Sequence, residues 1–113
     1  MTAEWTVIVS REVRQWFDQQ AQADQIIVRK VMERLRTQGN RLRMPHSKSL
    51  GGGLYELRFS VNAGRVDQRI TYVFDVERRV ITLTTFSKTR NNERRQVQRA
   101  RDAQKDYERR NGS

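Results

Sequence analysis

The stretch LYELRFSVNAGRVDQRITYVF, residues Leu54 to Phe74, decides the fold. Two runs rich in β-branched and aromatic residues, 54–61 and 66–74, flank Asn62-Ala63-Gly64, and so short a connection joins antiparallel neighbours in a hairpin. Side chains on a strand alternate between faces. Tyr55, Leu57 and Phe59 therefore share one side, while Glu56 and Arg58 point to the other. A third run, Arg79 to Phe86, follows the connector Asp75 to Arg78 and extends the hairpin into a meander.

Upstream, Trp5 to Val9 is a short β-rich run, and Ser10 is placed to cap a helix that presents Val13, Trp16, Phe17 and Ala21 at helical spacing. A second helix, with Asp24 as its cap, carries Ile27, Val28, Val31 and Leu35 on one stripe and stops at Gly39. Residues 40–53, NRLRMPHSKSLGGG, hold the only proline, the only histidine and three of the six glycines, and read as a basic, exposed loop. Downstream, residues 91–110 have high helix propensity but a thin apolar stripe of Val97, Ala100 and Tyr107, so this segment is expected to dock loosely. The predicted fold is α+β: a mostly antiparallel four-stranded sheet with a two-helix hairpin on one face and a C-terminal helix, in the order β-α-α-β-β-β-α. A single domain spans residues 1–113, with 91–113 as a basic helix and tail.

Charge narrows the partners. Twenty-three Lys and Arg against 13 Asp and Glu leave a net charge of +10. The excess is local: residues 25–50 carry +6 and residues 87–113 carry +5, around a centre, 51–86, of only +1. Two basic blocks flanking a near-neutral middle form a footprint for a polyanion such as nucleic acid. The absence of cysteine excludes a thiol nucleophile and a zinc–cysteine site, and suits a reducing cytoplasm. No apolar run approaches the roughly 18 residues of a spanning helix, and MTAEWTVIVS lacks a basic leader, so a cytoplasmic protein without membrane contact is expected. Gly51 to Gly53 lack the following Lys-Ser/Thr of a phosphate-binding nucleotide loop.

If Leu57, Phe59, Ile70, Tyr72, Phe74, Ile81 and Leu83 pack on the helices, the opposite face carries Glu56, Arg58, Arg69, Thr71, Thr82 and Thr84, with Lys88 continuing the parity of the last strand. Glu56, Arg58, Arg69 and Lys88 then converge from three strands, and the glycine run leaves room for a ligand backbone. The plainer reading makes Glu56 and Arg58 a surface ion pair and His46 a loop histidine without a role.

The element order, together with KSLGGGLYELRF (48–59), RITYVF (69–74) and TTFSKT (84–89), resembles the RelE/ParE superfamily of toxin components, with phage-derived HigB-type toxins of type II toxin–antitoxin systems as the nearest likeness. The resemblance implies an endoribonuclease, an mRNA interferase, that cleaves messenger RNA on the translating ribosome. It also implies neutralisation by a cognate antitoxin, a helix-turn-helix DNA-binding protein through which alone the toxin would reach operator DNA. Carried over by position, Arg58 and Arg69 match basic active-site positions, and Lys88 falls where a basic residue follows the last strand. Glu56 departs from RelE-type members, which have lysine there, and agrees with HigB-like relatives. No tyrosine follows Lys88 closely where RelE-type members use one, and Tyr107 is too distant to replace it.

Attack of a 2′-hydroxyl on the adjacent phosphate needs a proton acceptor, a proton donor and positive charge around the pentacoordinate phosphorus, with no metal or other cofactor required. Arg58 and Arg69 suit the phosphate role because a guanidinium presents fixed, forked donors. Glu56, flanked by arginines, is expected to stay ionised and to serve as a base. His46, Lys48 and Lys88 are left as unranked proton donors, and a crowd of cations favours a lysine, Lys48 or Lys88, in that role. The basic blocks, including Arg41, Arg43, His46, Arg94 and Arg95, are expected to hold RNA backbone. Two other classes stay open: a ParE-like inhibitor of DNA gyrase and a noncatalytic RNA-binding module.

Overall fold

The computed structural model describes residues 4–111. Its elements are β1 (Thr6–Ile8), α1 (Arg11–Asp18), α2 (Gln22–Gln38), a 3-10 turn (Gly39–Arg41), β2 (Ser47–Gly51), β3 (Leu54–Val61), β4 (Val66–Phe74), β5 (Arg79–Ser87) and α3 (Glu93–Arg110). The strands form one five-stranded sheet in the order β1-β5-β4-β3-β2. β1 runs parallel to β5 and the other pairs are antiparallel, so the α+β class holds, with a mixed sheet one strand wider than expected.

The additional strand is β2, inside the segment read as a loop. It pairs with β3 so that Ser47 faces Leu57 and Lys48 faces Glu56. An edge strand is held by backbone pairing on one side and needs little apolar patterning. Only Ser47 of β2 is buried, and its hydroxyl bonds the Tyr72 phenol. Gly52 and Gly53, with φ of +63° and +82°, make the turn into β3, because a type I′ hairpin needs positive φ at both central residues.

α1 opens at Ser10, whose Oγ accepts the Val13 N–H at 3.3 Å. The cap of α2 is Ala21 rather than Asp24, which lies in the first turn and accepts the Asn62 N–H at 3.0 Å, tying the helix to the β3–β4 turn. Val13 of α1 and Val31 and Leu35 of α2 pack against Leu57, Ile70, Tyr72 and Val80, so the helix pair covers one face as expected.

The opposite face is not wholly polar. Between β4 and β5, Ile70 faces Thr85 while Tyr72 faces Thr82, so β5 spends one more residue than β4 over the same interval. Such a bulge reverses the facing of everything beyond it. Ile81 and Leu83 therefore turn away from the helix pair and join Leu54, Val73 and Ala100 of α3. Thr82 moves the other way, accepting the Ser10 N–H and donating to the Ile8 carbonyl.

α3 docks firmly rather than loosely. Ala100 is fully buried, Arg101 donates to the Leu50 and Gly51 carbonyls, Gln104 donates to Gly52 O at 2.8 Å, and the Tyr107 hydroxyl donates to Asp75 at 2.6 Å. Small Ala100 and Ala103 let the helix approach, and polar side chains replace the missing apolar stripe. Residues 112–113 of the expected tail lie outside the described residues. No described helix is long and apolar enough to cross a membrane.

Candidate functional site

α3 covers the apolar end of the sheet face and leaves the end where β3 and β4 present Glu56 opposite Thr71 and Arg58 opposite Arg69. Strand alternation puts these side chains on one face, and cross-strand register makes them neighbours. Glu56 Oε1 lies 3.5 Å from Arg69 Nε and 3.8 Å from Arg58 Nε. Glu56 is 1 % exposed and Arg69 5 %, whereas Arg58 is half-buried and reaches solvent. Among the described residues, neither Glu56 oxygen nor Arg69 Nε has a hydrogen-bond partner. Arg69 donates one bond from Nη1 to its neighbour's carbonyl, Gln68 O, at 3.2 Å.

Burial dominates the electrostatics. It raises the Glu56 pKa above its ordinary value, opposed by Arg69, reinforced by Glu93 and opposed again by Arg58 and Lys48. The same desolvation lowers Arg69, with Arg58 adding to it and Glu56, Asp67 and Glu93 opposing. The flanking arginines do pull the Glu56 pKa down, but low exposure outweighs two cations whose contacts are ion pairs without hydrogen bonds, and the net shift is upward.

The other expected residues divide. Lys48 is brought in, directly across β2–β3 from Glu56 and exposed. Lys88 shares the parity of Phe86, which faces Arg69, and its N–H donates to Asp67 O at 2.7 Å, but among the described residues its ammonium forms no ion pair with Glu56. His46 accepts from Arg34 Nη1 through Nδ1 at 3.0 Å, which engages its ring with α2 rather than with Glu56. Arg41 and Arg43 are exposed and donate to nearby carbonyls of Thr37, Asn40 and Leu42. Arg94 and Arg95 are exposed in the first turn of α3. The glycine run does not make room for a ligand, because Arg101 and Gln104 of α3 occupy the space beside it.

Three participants escaped the sequence reading. Glu93 reaches the site because α3 begins beside it, a placement no local pattern encodes. Asp67 and Ser60 were legible in principle, since each lies two residues from a site arginine and so on the same face. With Arg58, Arg69, Pro45 and Phe59 they line an open cleft of about 320 Å³. Among the described residues no group of three His, Cys, Asp or Glu is placed to hold a metal ion.

A family model described as "Phage derived protein Gp49-like (DUF891)" matches residues 15–106. The chain belongs to this Gp49-like family. The matched span runs from α1 into α3, and so includes Lys48, Glu56, Arg58, Asp67, Arg69 and Glu93. A search of curated proteins finds no match to the Gp49-like chain. What this Gp49-like site offers chemically is a half-exposed and a buried guanidinium on one cleft, a desolvated carboxyl between them, and an ammonium across the strand pair.

Proposed function

We propose that this Gp49-like chain is the toxin of a type II toxin–antitoxin pair and acts as an endoribonuclease on messenger RNA at the ribosome. The observation that carries the reading is the Glu56 carboxyl held buried 3.5 and 3.8 Å from two arginines that also line an open cleft. A guanidinium pair positions a phosphodiester and stabilises the charge that develops on its oxygens. A carboxyl raised by burial is a better-matched base for a 2′-hydroxyl than an ordinary one, since proton transfer is most effective when the catalytic pKa approaches the working pH. The 2′-oxygen then attacks phosphorus, the bond to the 5′-oxygen breaks, and Lys48 supplies the leaving oxygen with a proton. The products are a 2′,3′-cyclic phosphate and a 5′-hydroxyl end, with no metal or cofactor in the cycle. Membership of a phage-derived Gp49-like family fits the toxin–antitoxin setting.

The partners belong to the same proposal. Exposed Arg41, Arg43, Arg94 and Arg95 hold ribosomal or messenger RNA backbone around the site. The antitoxin presents acidic groups to this face, and operator DNA is bound through the antitoxin.

Brief induction in growing cells, followed by mapping of messenger RNA ends, tests the reading. New 5′-hydroxyl ends within coding regions, absent with Glu56→Gln, are the expected result. Growth arrest with intact messages and damaged DNA replication would overturn it in favour of gyrase inhibition.

A further inference from the structure

The cleft beside the proposed catalytic pair contains a group that phosphate binding does not explain. Asp67 and Ser60 face one another across β3 and β4, on the same side of the sheet as Arg58 and Arg69. Ser60 Oγ donates to Asp67 Oδ1 at 3.1 Å. The Oδ2 oxygen receives no hydrogen bond, and Asp67 has no ion pair within 4.0 Å among the described residues, although two arginines line the same cleft. The arginines place Nε toward Glu56 and spend Nη1 on Met44 Sδ and Gln68 O, so Asp67 acts on Arg69 only through space. An exposed carboxylate beside a phosphate site repels the substrate's backbone, so its presence calls for a ligand group rich in N–H donors.

We propose that Asp67 and Ser60 read a nucleobase adjacent to the phosphate held by Arg58 and Arg69, and that the base they select is guanine. The proposal rests on the ribonuclease reading and deepens it. RNA is read on the Watson–Crick edges of unpaired bases. Guanine alone presents two adjacent donors there, N1–H and the N2 amino group, and a carboxylate matches both. Adenine and cytosine set one amino donor beside a ring-nitrogen acceptor, and uracil sets one N–H between two carbonyls, so each brings at least one lone pair against Asp67. Oδ2 takes the N1–H, and the N2 amino group bonds Oδ1 or the free lone pairs of Ser60 Oγ. Pro45 supplies an apolar wall for the ring, while the Phe59 side chain packs on Trp16 across the sheet, and the cleft, about 320 Å³, is at the small end of the range for small-ligand sites.

Binding, rather than cleavage, tests the idea. The probe is a labelled uridine trinucleotide, 2′-O-methylated throughout so that it cannot be cut, carrying a single G, A or C at each position in turn. Fluorescence polarisation with the full chain should show one guanine placement binding about tenfold tighter than the all-uridine parent, with adenine and cytosine giving no such gain. Asp67→Asn should abolish that gain while affinity for the all-uridine parent rises, because a repelling charge is gone. Ser60→Ala should reduce the gain less. Equal binding of all sequences, or a guanine preference that survives in Asp67→Asn, overturns base reading and leaves the ribonuclease proposal standing. Failure of every trinucleotide to bind also overturns base reading by the free chain, and the mapping of messenger RNA ends decides the ribonuclease proposal separately.

Discussion

Glu56 and Arg69 are buried together, Oε1 3.5 Å from Nε, and neither atom has a hydrogen-bond partner among the described residues. Because burial raises the Glu56 pKa, the folded state holds this proton more tightly than the unfolded chain does. The stability that comes from the protonated form is complete below the ordinary value of 4.5 and is lost as pH climbs through the raised folded value. Glu56→Gln keeps the neutral shape at every pH. The variant should therefore match the parent in acid and exceed it in denaturant midpoint as pH rises to 7. A variant less stable than the parent at neutral pH would show that the ion pair with Arg69 outweighs desolvation.

The same pair should be indispensable to turnover. In single-turnover cleavage with saturating protein, Glu56→Gln should slow the chemical step by about 100-fold or more while RNA affinity holds or rises. Arg69→Lys retains charge but loses the planar fork, and a comparable loss is expected. An unchanged rate in Glu56→Gln would leave the base to be found among Lys48, Lys88 and His46.

The sequence revealed most where local pattern and tertiary packing agree. β3 and β4 have the expected bounds, 54–61 and 66–74, because period-two alternation on both sides of a short turn leaves one register. Ser10 and Gly39 act as the expected start and stop signals of helices. β2 was hidden because its pairing is carried by backbone and the three glycines from its last residue into the turn also punctuate loops. The facing of Ile81, Thr82 and Leu83 was hidden by the bulge, which alternation cannot forecast. α3 looked weakly anchored because Arg101 and Gln104 dock through carbonyls of the glycine turn, a contact visible only in three dimensions. For the site, parity alone joined Glu56, Arg58 and Arg69. Their burial is a tertiary property that parity does not encode, so the direction of the Glu56 shift could not be read from charge neighbours.

α3 is also clamped to α1 across the open part of β5. Arg99 donates to both oxygens of Glu12 at 2.7 and 2.8 Å and to Thr85 O at 3.1 Å, while Glu12 accepts the Thr85 N–H at 2.8 Å. Burial works to raise Glu12, but the bonds from Arg99 and Thr85 prevail and hold its pKa below the ordinary value. The pair's contribution is therefore present above 4.5 and lost as pH falls through the lowered folded value. Arg99→Ala should cost no more than about 1 kcal/mol at neutral pH, since both side chains are about two-fifths exposed. The difference from the parent should shrink in acid; a constant difference across pH would assign the effect to packing.

Gly39 ends α2 against Trp5. Its φ is +50°, and a Cβ there would lie 1.9 Å from the indole Nε1. Gly64 has φ of +80° with open space around it. Gly64→Ala should cost about 1 kcal/mol, the backbone term alone. Gly39→Ala should cost several times as much and shift the Trp5 emission, because the ring must leave its place beside Phe74, 5.0 Å away between centroids. Equal losses at the two positions would mean that Trp5 moves aside freely.

The exposed arginines outside the cleft bear on affinity rather than chemistry. Arg94 and Arg95 project from the first turn of α3, and Arg41 and Arg43 from the segment between α2 and β2. None of them forms an ion pair with Glu56, whose partners among the described residues are Arg58 and Arg69. Each contact with an RNA phosphate releases counterions, so the slope of log affinity against log salt should become shallower by about 0.7 for every contact removed. Arg94→Gln with Arg95→Gln should reduce the slope by about 1.4 if both touch RNA, and should leave the single-turnover rate at saturation within about twofold of the parent. A slope that does not change would take α3 out of the RNA path. A fall in the saturated rate with the slope intact would place these arginines in the chemistry instead, through Glu93 beside them on the same turn.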